Sequence, residues 1–83
     1  MSIAKSKKNT LRITEILHER GSSMVEEISK VPDVQLLSRA LREIIVDELG
    51  DEFFQRGLRE DGEPNEYGLE LENLTDACGL AWD

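Results

Sequence analysis

The segment 34–49 constrains this chain more than any other. Its apolar residues are Val34, Leu36, Leu37, Ala40, Leu41, Ile44, Ile45 and Leu49. At about 100° per residue, most of them cover roughly half the circumference of a helix. One neighbouring helix cannot hide a stripe that wide. The segment is therefore expected to be the centre of the fold, or to face both its own domain and a second copy of the chain. With 83 residues, the chain buries only roughly 60% of its unfolded surface. Its margin as a monomer is thin, and a partner or a second copy widens it. The expected fold class is all-α, a small bundle of three to five helices around a central helix at 34–49. It forms a single helical domain over 9–83, preceded by a flexible basic arm over 1–8.

Local signals place the other elements. Ile13, Ile16 and Leu17 share one stripe of a helix over 10–20, capped by Asn9 or Thr10 and stopped by Gly21. Ser23 and Glu26 form a capping box for a short helix over 24–30, which Val31-Pro32 ends. Asp33 is expected to cap the main helix and Gly50 to break or kink it, with Asp51 capping a further turn that holds Phe53 and Phe54. Residues 59–66 are charges and turn-formers, hence a loop. The last segment reads two ways. Tyr67, Leu71, Leu74, Cys78 and Ala81 follow helical 4-3-4-3 spacing, whereas Tyr67, Leu69 and Leu71 alternate with polar residues or glycine as in a strand. The helix, over 69–78, is preferred, with Gly79-Leu80 as its stop.

The stretch from Ile16 to Ile28 (Ile-Leu-His-Glu-Arg-Gly-Ser-Ser-Met-Val-Glu-Glu-Ile) resembles the first two helices of winged-helix DNA-binding domains. That resemblance implies an alternative fold, α+β with a hairpin wing over 53–71. It implies an alternative function, a DNA-binding transcriptional regulator whose recognition helix starts at Asp33 and presents Arg39 and Arg42 to the groove. The acids Glu43, Asp47 and Glu48 on that helix and Glu60, Asp61, Glu63 and Glu66 at the wing tip would face phosphates and be repelled.

No motif for catalysis stands out, and the chain reads as a non-enzyme without metal or cofactor. Asp61, Glu63, Asn65 and Glu72 occupy positions 1, 3, 5 and 12 of a twelve-residue calcium loop. Glu66, however, stands where that loop needs glycine, and Pro64 stiffens it. The single histidine, His18, has no second ligand at metal spacing. Cys78 lies on an apolar seam, as a buried structural thiol would. A lone cysteine fits a reducing compartment, no apolar run reaches membrane-spanning length, and no secretory signal is visible, so the expected location is the cytoplasm.

Charge carries the functional expectation. Residues 1–42 hold eight basic groups against five acidic ones, and residues 43–83 hold two against thirteen. The acidic half repels nucleic acid and membranes and attracts basic protein surfaces. The expected role is a small acidic protein-interaction or regulatory protein and a homodimer. It would inhibit or neutralise a basic partner in the manner of immunity proteins and antitoxins. Ile44, Ile45, Leu49, Phe53 and Phe54 would supply apolar contact, and Glu60, Asp61, Glu63, Glu66, Glu70 and Glu72 would steer the partner. Phe53 and Phe54 point about 100° apart on a helix, so one of them is left to meet a partner. Trp82 either folds back or is an exposed anchor.

Overall fold

A computed structural model describes residues 3–79, with side chains from Lys7 onward; Trp82 and Ala81 lie outside the described residues. The fold is a small all-helical globule. Its helices are α1 (Ile3–Glu19), α2 (Met24–Ile28), α3 (Arg39–Arg56) and α4 (Glu66–Ala77), with a single 3₁₀ turn at Val34–Leu36 between α2 and α3. No strand occurs among the described residues, and the span 53–71 contains only one isolated bridge, Leu58 to Pro64. The winged-helix alternative is therefore not supported. The helical reading of 69–78 holds, with α4 starting three residues earlier.

Each helix end has an identifiable cause. Gly21 takes φ +72°, and the Ser22 and Gly21 amides return to the Leu17 and His18 carbonyls, which ends α1 in a Schellman turn. Asn65 caps α4, its side-chain oxygen 2.7 Å from the Gly68 amide. The expected Ser23 cap is not made. Ser22 Oγ instead accepts the Met24 amide at 3.0 Å and donates to Glu48 at 2.6 Å, tying the start of α2 to α3. Helix α1 begins at Ile3, so residues 3–8, expected as an arm, form its first turns. Thr10 is not a cap. It is buried inside α1, and its hydroxyl accepts the Val34 amide at 3.0 Å.

The segment 34–49 is not one helix. Asp33 caps the 3₁₀ turn alone, through the Gln35 amide. Leu37 is extended, and Ser38 restarts the chain as the N-cap of α3, accepting from the Leu41 amide. Helix α3 then runs unbroken through Gly50 to Arg56. The half-girth stripe dissolves because it joined two elements. Val34 and Leu37 reach the core from the turn, and Ile45 and Leu49 reach it from the inner face of α3.

Those four residues pack with Ile13, Ile16 and Leu17 of α1, Ile28 of α2, Leu71 and Leu74 of α4, and Cys78. Each fully buried aliphatic side chain contributes roughly 1.5–3 kcal/mol. Helix α3 packs most extensively against α4 and also meets α2, while α1 packs against α2 and α4.

Helices α3 and α4 run antiparallel and are pinned at both ends. At the loop end, the backbones of Gly57 and Gly68 touch. A methyl on Gly68 would collide with the Gly57 carbonyl, and one on Gly57 would sit 3.0 Å from the Gly68 Cα. The Asn65 amide donates to the Gly57 carbonyl at 2.9 Å and the Asn65 side chain to Arg56 O at 2.9 Å. At the far end, Arg42 donates to the Cys78 carbonyl at 2.9 Å and Gln35 to the Ala77 carbonyl at 2.9 Å, which satisfies carbonyls left open where α4 ends. Overpacking a site where backbone meets backbone leaves nothing soft to yield. Gly68→Ala is accordingly expected to cost about 3 kcal/mol or more, read as a lowered urea midpoint at unchanged slope.

Candidate interaction groove between α3 and α4

Between its two pinned ends the α3–α4 seam opens into a groove of about 420 Å³, lined by Leu49, Gly50, Phe53 and Phe54 from α3 and by Leu71, Glu72, Thr75 and Asp76 from α4. Leu49 and Leu71 are fully buried and form the floor. Phe53 and Phe54 form one wall, their rings edge to face with centroids 6.1 Å apart. Phe53 leans into the core, whereas Phe54 is 76% exposed. The divergence expected of two adjacent helical aromatics is thus observed. No hydrogen bond or ion pair crosses the groove among the described residues; Thr75 Oγ1 donates within α4, to the Leu71 carbonyl.

At position 50 α3 contributes no side chain to the groove. A Cβ there would meet nothing within 4 Å. Glycine in a helix interior costs about 1 kcal/mol relative to alanine, and here no close approach or positive φ requires it.

The rim is acidic. Glu72 and Asp76 stand one turn apart on α4 and supply the acids of the lining, whereas Asp47 and Asp51 lie on the exposed outer face of α3 outside it, Asp51 3.9 Å from Arg20. Among the described residues, no basic one lines the groove.

The expected contact residues divide sharply. Ile44 is 43% exposed and Phe54 fully reachable, but Ile45 and Leu49 are enclosed in the chain's own core, where only Leu49 lies beneath the groove. The six expected acids do not form one patch. Glu60, Asp61 and Glu63 sit in the α3–α4 loop, with Asp61 3.3 Å from Arg59, and Glu66 opens α4. Glu70 is held by Arg12 through two hydrogen bonds of 2.9 and 3.2 Å. Only Glu72 lies on the groove. Gly50, Thr75 and Asp76 were missed. The i, i+4 spacing of Glu72 with Asp76 was the available signal, but it becomes informative only once α3 is known to pass through Gly50 and pack against α4.

A larger hollow between α1 and α4, about 540 Å³, is lined by Arg12, Tyr67 and Glu70 among others. Arg12 and Glu70 pair within it at 2.9 Å, and the Arg12 guanidinium lies 5.9 Å from the centre of the Tyr67 ring. Of the two arginines proposed to read DNA, Arg42 is committed to the carbonyls of Leu37 and Cys78, and Arg39 pairs with Glu43 at 3.1 Å. Asn65, which falls at position 5 of the calcium-loop spacing, spends its side chain on two backbone groups. No group of three or more His, Cys, Asp or Glu residues suited to a metal stands together among the described residues. None of the described helices is long and apolar enough to cross a membrane. Cys78 is buried, and burial pushes its thiol up to about 11.

Behind the groove, a buried carboxylate holds the wall helix in place. Glu52 is 3% exposed. Its two oxygens accept from Arg20, in the turn that follows α1, at 2.8 Å and from the Tyr67 hydroxyl of α4 at 2.7 Å. Burial alone would raise the Glu52 carboxyl. The hydrogen bonds from Tyr67 and Arg20 and the nearby Arg56 charge outweigh it and hold the group below its ordinary value. Burial and donation to this carboxylate push the Tyr67 hydroxyl up to about 12.

Comparison with protein-family models, curated proteins and solved structures gives no match to the chain.

The Glu52 cluster generates a test. Glutamine can accept from only one of the two donors and turns its own amide protons toward the other. Glu52→Gln should therefore cost about 2 kcal/mol at pH 7. A depressed folded-state pKa stabilises above the unfolded carboxyl value, about 4.3, and this contribution is lost as pH falls through the folded value. The gap between wild type and variant should narrow steadily below about pH 4. Urea titrations of both proteins from pH 7 to pH 3 measure it.

Proposed function

We propose that this chain is a small acidic binding protein that takes an apolar side chain of a basic protein partner into the groove between α3 and α4. The observation that carries the reading is the open, acid-rimmed gap beside the exposed Phe54 ring. Hot spots of protein interfaces are typically aromatic groups in a desolvated pocket ringed by polar residues, and this groove supplies that arrangement on one side. The rim acids, with a net charge of −8 on the chain, supply steering toward a basic surface. The role is non-catalytic, inhibition or neutralisation of the partner. The free, buried thiol of Cys78 supports a reducing compartment such as the cytoplasm.

A homodimer through the same face is disfavoured by charge. Two copies set groove to groove would bring the Glu72 and Asp76 pair of each toward the acidic rim of the other. The occupant is therefore a basic chain of different sequence.

The test is capture of a partner by the full chain at low and high salt, compared with two variants. Phe54→Ala should weaken capture about 30-fold, the loss of a hot-spot side chain, while stability changes by less than about 0.5 kcal/mol because the ring is exposed. Glu72→Lys with Asp76→Lys should remove the salt dependence as well as the partner. Capture of a basic protein that neither variant disturbs contradicts the proposal.

A further inference from the structure

We infer that Gly50 is the specificity-determining residue of the groove, and that the groove's ligand is a planar aromatic side chain flanked by lysine or arginine. This rests on the proposed binding role and names the ligand for it. Three observations converge. Gly50 stands in mid-helix with nothing of the chain's own within 4 Å of its missing Cβ, so the chain's own packing does not require the vacancy. Gly57 and Gly68, in contrast, are glycines because another backbone occupies that space. Beside the vacancy, Phe54 leaves its ring exposed at right angles to Phe53, so an incoming ring finds a face as well as an edge. Across it stand Glu72 and Asp76, placed to meet cationic residues on either side of an anchor.

An aromatic ring seated on the bare backbone at Gly50 would rest above Leu49 and Leu71. Any side chain at position 50 projects into the space that ring needs. The flanking acids then select basic neighbours by charge, and the aperture selects the anchor by shape.

The probes are three fluorescein-labelled twelve-residue peptides of lysine and alanine with tryptophan, leucine or alanine at the centre, followed by anisotropy at low salt. Wild type should bind the tryptophan peptide about ten-fold more tightly than the alanine peptide. Gly50→Leu should cut that preference to less than about two-fold. Gly50→Ala should raise the urea midpoint and reduce the preference part of the way. A Gly50→Leu protein that still prefers tryptophan overturns the inference, as does a Gly50→Ala protein of lowered midpoint, which would make the glycine a requirement of the fold. The groove reading itself fails separately. It falls if binding of all three peptides survives Glu72→Lys with Asp76→Lys, or if wild type binds none of them, an outcome that removes the Gly50 inference with it.

Discussion

The contact of two glycine backbones, Gly57 against Gly68, fixes how the last two helices of this protein meet. It brings the end of α3 and the start of α4 closer than side chains would allow. The loop between them is then folded by its own polar groups. The Asp61 carboxylate accepts the Glu63 amide, the Arg59 amide donates to the Glu63 carbonyl, and Asn65 bonds to backbone on both helices. At the opposite end Arg42 and Gln35 reach the open carbonyls of α4. Between those ends Leu49 and Leu71 fill the bottom of the seam, and at Gly50 α3 offers no side chain above them; the groove lies there.

The same arrangement explains why a chain of this size tolerates a charged residue in its interior. Glu52 is nearly inaccessible, yet both oxygens are used and the partners come from the turn that follows α1 and from α4. A buried ion removed from water is costly unless geometry and additional hydrogen bonds compensate. Here the compensation ties three helices behind the wall that carries Phe53 and Phe54. Rigidity of that wall matters for binding, because a pre-formed site does not spend association energy on ordering itself.

Much of this fold was legible in the sequence. The Ile13-Ile16-Leu17 stripe, the stop at Gly21, the loop over 59–66 and the Leu71-Leu74-Cys78 seam all follow from local periodicity and turn chemistry, and the all-helical class followed from them. The start of α3 was not legible. Asp33 and Ser38 are equally good caps, and only the Thr10 hydroxyl, arriving from α1, holds the Val34 amide where a 3₁₀ turn is favoured. Joining the two pieces produced an apolar stripe wider than either has. Gly50 misled for a related reason. Its helical cost, about 1 kcal/mol, is outweighed by burial of Ile45 and Leu49 on the same face, a tertiary effect no local rule contains. The site suffered most. Acids close in sequence, such as Glu60 and Glu72, lie at different places on the surface, Glu60 in the loop and Glu72 on the groove, while Gly50 and Asp76, far apart in sequence, line one groove.

Binding to that groove, by whichever basic chain carries the anchor, must leave a mark confined to it. The most direct measurement is a backbone amide NMR titration of the full chain with the tryptophan-centred lysine peptide. The account predicts that shifts concentrate on residues 47–54 and 71–76, led by Gly50, Phe54 and Asp76, with α2 and the 3₁₀ turn unmoved. Shifts centred instead on α1, or on Arg39 and the turn before it, would contradict it.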